Sequence, residues 1–158
     1  MYALLLTLHA LLRWIVVIVG IVAVGRALLG WRGAWRWTPL DARLSMIYPI
    51  VVDVQVLLGL MLYFFLSPEL ADVGGTPLGD VLADGRQFYW TFAHMFVMIV
   101  ALALIHVGRA RMKRADDDAG RFRQTAIFYG LGTLAILLLI PWPFMTPYGR
   151  PLLPSTWT

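Results

Sequence analysis

The chain has 158 residues, of which 60% are hydrophobic and only 14% charged, with a mean hydropathy of +0.75. A soluble domain of this length carries about 25% charged residues, so the composition belongs to a membrane protein, and the length allows one compact unit. The absence of cysteine excludes disulfides, zinc–thiolate sites, iron–sulfur clusters, thiol catalysis and covalent haem attachment through cysteine.

Four segments are apolar over the roughly 20 residues that a helix needs to cross a bilayer. The first runs from Tyr2 to Leu29. It has no positive leading region and no small-residue cleavage site, so it does not read as a removable leader. It carries His9 and Arg13, four residues apart and therefore on one helical face. The second segment, Leu44 to Leu66, contains Tyr48-Pro49, which suggests a kink, and then Asp53, Gln55, Gly59 and Tyr63. Gln55, Gly59 and Tyr63 fall on one stripe, whereas Asp53 points elsewhere. The third segment, Phe88 to Val107, carries His94 and, near its far end, His106. The fourth, Phe122 to Ile140, is stopped by Ile140-Pro141-Trp142-Pro143-Phe144, since proline cannot continue a helix. A tail rich in proline and aromatic residues follows, through Tyr148, Arg150, Pro154 and Trp157, suited to anchoring at an interface or capping the bundle.

Runs this long in lipid must be helices, because open sheet edges are not tolerated there. The expected fold is therefore all-α, a four-helix transmembrane bundle in up-down-up-down order. Orientation follows from charge. Arg26, Arg32, Arg36 and Arg43 flank the first connection, and Arg109, Arg111, Lys113, Arg114, Arg121 and Arg123 the third. The second connection carries Glu69, Asp72, Asp80 and Asp84 against Arg86. The positive-inside rule places residues 30–43 and 108–121 in the cytoplasm and both termini outside, in a bacterial inner membrane. This distribution accounts for the net charge of +4 through an anionic lipid surface, without nucleic acid. Trp31, Trp35 and Trp37 at one level, and Trp90, Trp142 and Trp157 at the other, fit interfacial belts.

Ionisable side chains at membrane depth are costly and mark functional sites by default. With this topology His9 and His94 both lie roughly 10 Å below the outer boundary, with Arg13, Gln55 and Asp53 deeper. Arg13 and Asp53 are expected to form a structural ion pair, since a charge at the bilayer centre needs a partner. His106 points roughly 120° away from His94 and reads as interfacial.

Three uses of this polar ladder are open. His9 and His94 could ligate a haem b iron from facing helices, with Gly59 admitting the macrocycle. Alternatively, His9, Arg13, Gln55, Tyr63 and His94 could hydrogen-bond a quinone ring beside an apolar slot. The same side chains could also merely join helices. Met61, Met95 and Met98 read as core filler, and Asp116, Asp117 and Asp118 as solvated balance for the basic loop. No phosphate-binding loop or nucleophile motif is present, so the chain is not expected to be catalytic alone, and no inverted repeat of the kind that marks secondary transporters is present.

The sequence Leu8 to Trp14 (LHALLRW), Gln55 to Tyr63 (QVLLGLMLY), His94, and the IPWPF and Arg150-Pro151 ending resemble a family of small four-helix bacterial membrane proteins labelled cytochrome b-like. The resemblance spans essentially the whole chain. It implies a role in membrane electron transport, with haem at His9 and His94, and other membrane subunits as partners, as in quinol-oxidising assemblies such as alternative complex III. The expected function is a membrane subunit of a respiratory or photosynthetic electron-transport complex. The alternatives are a stand-alone bis-histidine b-type cytochrome passing electrons from quinol and a purely structural subunit without cofactor.

Overall fold

The computed structural model describes residues 1–66 and 75–152. Glu69 and Asp72 of the acidic connection, and Pro154 and Trp157 of the tail, lie outside the described residues. Four long helices cross the molecule: α1 (Tyr2–Arg32), α2 (Pro39–Leu66), α4 (Gly85–Lys113) and α5 (Asp118–Leu139). A short helix, α3 (Leu78–Ala83), precedes α4. The long helices are each long and apolar enough to span a bilayer, which makes this an all-α, multi-pass membrane bundle.

α2, α4 and α5 begin earlier than their apolar runs alone predict, because local caps extend them. Thr38 precedes Pro39 and Asp41, and the Asp41 carboxylate accepts from the Thr38 backbone N–H at 2.9 Å and from its hydroxyl. Proline in the first turn costs nothing, since its missing N–H would have no intrahelical acceptor. Arg26 from α1 binds the same carboxylate, with Nε 2.8 Å from Oδ1, so the first connection is locked at both ends. Asp117 caps α5 by accepting from the Gly120 N–H at 2.7 Å, and Asp84 caps α4 through the N–H groups of Arg86 and Gln87.

Antiparallel packing arranges α1, α2, α4 and α5 as a ring, with α5 closing back on α1. Both the chain start and the tail lie at one end, here the terminal end; the arginine-rich connections form the basic end. Val16, Val52, Ala101, Ile105, Tyr129 and Ile136 fill the centre, while Leu4, Leu11, Ile18, Leu57, Phe64, Phe96 and Leu138 face outward. An apolar exterior of this kind is what lipid requires.

α2 continues through Pro49 as one helix. Proline at position 49 cannot donate to the carbonyl of Ser45, four residues back. That carbonyl instead accepts from Tyr129 Oη at 2.7 Å and Arg109 Nη1 at 3.0 Å. Beside it, Tyr48 and Thr133 share a hydrogen bond of 2.7 Å across the core. Interhelical bonds of this type are worth about 0.6 kcal/mol each in membranes, so together they fix register more than they supply stability.

Candidate functional site

A cavity of about 150 Å³ lies within the terminal half of the ring. Its walls come from Leu6, His9 and Arg13 of α1, Gln55, Gly59 and Tyr63 of α2, Trp90, His94 and Met98 of α4, and Arg150 of the tail. The residues singled out from the sequence, His9, Arg13, Gln55, Tyr63 and His94, therefore meet around one space. Asp53 does not line it.

His94 is oriented by features on two helices. Residues Tyr89–Ala93 form a π-helical turn, in which the His94 N–H bonds to the Tyr89 carbonyl five residues back. Such single turns recur at functional sites because they shift the register of the side chains that follow. Here the turn places Tyr89 beside His94, with Tyr89 Oη 3.2 Å from Nδ1. Both groups reach the Leu139 carbonyl, Tyr89 Oη at 2.6 Å and His94 Nδ1 at 2.9 Å.

That carbonyl is free because α5 ends there and position 143, where the next helical donor would lie, is proline. Pro141 frees the Leu137 carbonyl in the same way, and Trp142 Nε1 takes it at 2.9 Å. The IPWPF segment thus stops the helix and supplies the acceptor that holds His94.

The protonation pattern of His94 follows. A carbonyl only accepts, and Tyr89 spends its single hydrogen on that carbonyl, so Nδ1 of His94 must donate. A neutral imidazole then carries a lone pair at Nε2, which has no hydrogen-bond partner among the described residues, on a side chain that lines the cavity.

His9 is held differently. The Gln55 amide nitrogen donates to the His9 carbonyl at 3.0 Å and to His9 Nε2 at 3.2 Å. The carbonyl contact fixes which end of the amide is nitrogen, so Nε2 of His9 accepts and its hydrogen sits on Nδ1. Nδ1 and Gln55 Oε1 are both buried without a partner. The imidazole edge packs on bare Gly59, where an added Cβ would stand 3.1 Å from His9 Cε1. Gly59 therefore makes room for the His9 ring, and this replaces the expectation that it admits a macrocycle.

The remaining polar groups differ from expectation in instructive ways. Arg13 is buried, and its Nη2 donates to the Leu152 carbonyl at 2.9 Å, while Nε has no partner. The expected Arg13–Asp53 ion pair does not form: Asp53 Oδ1 lies 2.7 Å from His106 Nε2 on the outside of the ring. Asp53 and Gln55 are two residues apart and cannot face the same way, so Arg13, on the Gln55 side, meets a tail carbonyl and not Asp53. His106 is consequently half of a side-chain pair and not a lone interfacial group. Tyr63 lines the cavity, but its hydroxyl donates to the Thr91 carbonyl at 2.6 Å, making it a strut between α2 and α4.

Tyr89, Trp90 and Arg150 complete the site and were not singled out from the sequence as site residues. The tail folds over the terminal end, its Arg150 N–H bonding the Pro141 carbonyl at 3.0 Å. Tyr148 stacks on Tyr89 at 4.0 Å, and the Arg150 guanidinium sits 4.2 Å from the Trp90 ring centre. A Cβ on Gly149 would overlap the carbonyl oxygens of Trp142 and Met145, so the fold-back requires glycine there. The Tyr148-Gly149-Arg150-Pro151 run was the available signal, but the π-helical turn has none in the sequence.

These positions can be tested against haem. His94 could hold a haem iron, since one ring nitrogen is anchored to a carbonyl and the other has no partner among the described residues. His9 does not, because Gln55 holds its Nε2 and Gly59 receives its ring. A cavity of about 150 Å³ matches one six-membered ring, the size of a benzene site, and falls short of the several hundred Å³ of larger ligand pockets. The residues as arranged do not fit a bis-histidine haem. No family model matches the chain, and no curated protein or solved structure matches it either.

Proposed function

We propose that this protein is a membrane subunit of an electron-transport complex in the bacterial inner membrane, and that it binds the ring of a quinone-class lipid between His9 and His94. The observation that carries the reading is a ring-sized cavity lined by His94, whose Nδ1 is tied to the Leu139 carbonyl and whose Nε2 has no partner among the described residues. Ligand sites of this kind combine apolar walls with a few placed polar groups. Leu6, Leu60, Met95 and Met98 supply apolar wall, and Arg13 and Arg150 supply cationic groups. An isoprenoid tail would leave sideways between helices whose outer faces are already apolar.

The test is equilibrium binding of decyl-ubiquinone to the purified protein in nanodiscs, read by quenching of Trp90 and the other tryptophans. Saturable quenching is expected in the wild type, and its loss when Met98→Trp fills the cavity. Unsaturable quenching that Met98→Trp leaves unchanged overturns the reading. So does a Soret band in the purified protein that disappears in His94→Ala, which would return the site to haem.

A further inference from the structure

We propose that this cavity selects the reduced, hydroquinone form of its ligand, with His94 Nε2 accepting the hydrogen of a ring hydroxyl. The proposal rests on the quinone-class reading above and adds to it which redox form is held. Tyr89 and the Leu139 carbonyl fix the donor side of His94, as both can only accept from Nδ1. On this side chain, which lines the cavity, the nitrogen left without a partner among the described residues is therefore an acceptor. Its partner must bring a hydrogen.

A quinone carries two carbonyl oxygens on its ring and no donor. Bound here, it would seal Nε2 away from any hydrogen bond. A hydroquinone has the same ring and nearly the same volume, yet each hydroxyl both donates and accepts. One hydroxyl donates to His94. The oxygens can still accept from the cationic side of the cavity, where the Arg13 and Arg150 side chains line the wall. The nearby His9 cannot reverse this preference, because its hydrogen-bearing Nδ1 is sealed against Gly59 and its Nε2 is held by Gln55. Sites that hydrogen-bond a hydroxyl discriminate strongly against analogues lacking it, since the buried protein group is then left unpaired. A preference of at least about fivefold is expected, the lower end of what one unpaired buried group produces.

The experiment compares three probes on the wild-type protein in nanodiscs under anaerobic conditions, by titration calorimetry. These are duroquinone, durohydroquinone and durohydroquinone dimethyl ether, which keeps ring and oxygens but has no hydrogen to donate. Durohydroquinone is expected to bind at least about fivefold more tightly than the other two. In His94→Gln, whose amide can donate as well as accept, the three affinities should converge. Equal affinities for duroquinone and durohydroquinone in the wild type would overturn the inference while leaving the quinone-class site standing. Tight binding of the dimethyl ether would overturn it as well, by removing the donated hydrogen from the explanation. No binding of any probe would overturn the underlying reading itself.

Discussion

Asp53 and His106 pair on the outward face of the bundle, with Oδ1 and Nε2 2.7 Å apart and the side chains 40% and 47% exposed. The pairing follows from helix direction. Side chains lean toward the start of their own helix, and α2 and α4 run oppositely, so Asp53 leans toward the basic end and His106 toward the terminal end. Two residues at different levels thereby meet. A double-mutant cycle of Asp53→Ala with His106→Ala, followed by denaturant titration in mixed micelles, should give a coupling of about 0.6 kcal/mol and no more than about 1.7. The corresponding cycle of Arg13→Ala with Asp53→Ala should give none. Coupling between Arg13 and Asp53 would mean that the tail contact to Leu152 is not what satisfies Arg13.

The contact between Gln55 and His9 makes a different prediction, because both partners are enclosed. Gln55→Leu leaves His9 Nε2 buried without its donor, and such a loss costs about 1–3 kcal/mol. Replacing both groups by apolar ones removes the stranded nitrogen together with its partner, which can be nearly neutral. The double variant His9→Leu with Gln55→Leu should therefore be more stable than Gln55→Leu alone. Equal or lower stability of the double variant would show that the His9 imidazole is held by packing on Gly59 and not by the amide.

Gly59→Ala sets two effects against each other. Alanine is worth about 1 kcal/mol over glycine in a helix interior. Against this, its Cβ would stand 3.1 Å from His9 Cε1 and 3.7 Å from Nδ1, and the Gln55 bonds prevent the ring from swinging aside. Net destabilisation is expected in the wild type. In a His9→Ala background the obstruction is gone and the same substitution should stabilise by up to about 1 kcal/mol. A stabilising Gly59→Ala in the wild type would show that His9 moves freely.

The long apolar runs made the four helices and their order legible, because lipid leaves a chain few alternatives. His9, His94 and Gln55 were legible as neighbours because the alternating direction of the four spans converts sequence spacing into depth. The Arg13–Asp53 expectation failed for a physical reason: depth was readable, but rotation about each helix axis was not. Arg13 found a backbone carbonyl in a tail that returns to the bundle, a contact 139 residues apart in sequence. Tyr89 was hidden because its place beside His94 depends on a π-helical turn, which places residues five apart on one face where ordinary helical spacing predicts otherwise. Pro141 and Pro143 were legible as a helix stop. The carbonyls they leave free, and hence the tautomer of His94, became readable only with the donors in place.

Those carbonyls give the most demanding prediction. In Pro141→Ala with Pro143→Ala, positions 141 and 143 regain N–H groups able to bond Leu137 and Leu139 in a continued helix. The Leu139 carbonyl would then be shared between a backbone donor and the two side chains that now use it, Tyr89 and His94. Helical signal at 222 nm should rise, while ring binding in the cavity should weaken as His94 loses its fixed orientation. Tyr89→Phe is the contrasting variant. It removes one donor to Leu139 at a cost of about 0.6 kcal/mol but leaves His94 Nδ1 bonded at 2.9 Å, so binding should be nearly retained. Retained binding in the double alanine variant, with helicity increased, would show that the carbonyl freed by the prolines is not what orients His94. Loss of binding in Tyr89→Phe alone would instead make the hydroxyl of Tyr89, and not the Leu139 carbonyl, the group that sets the imidazole.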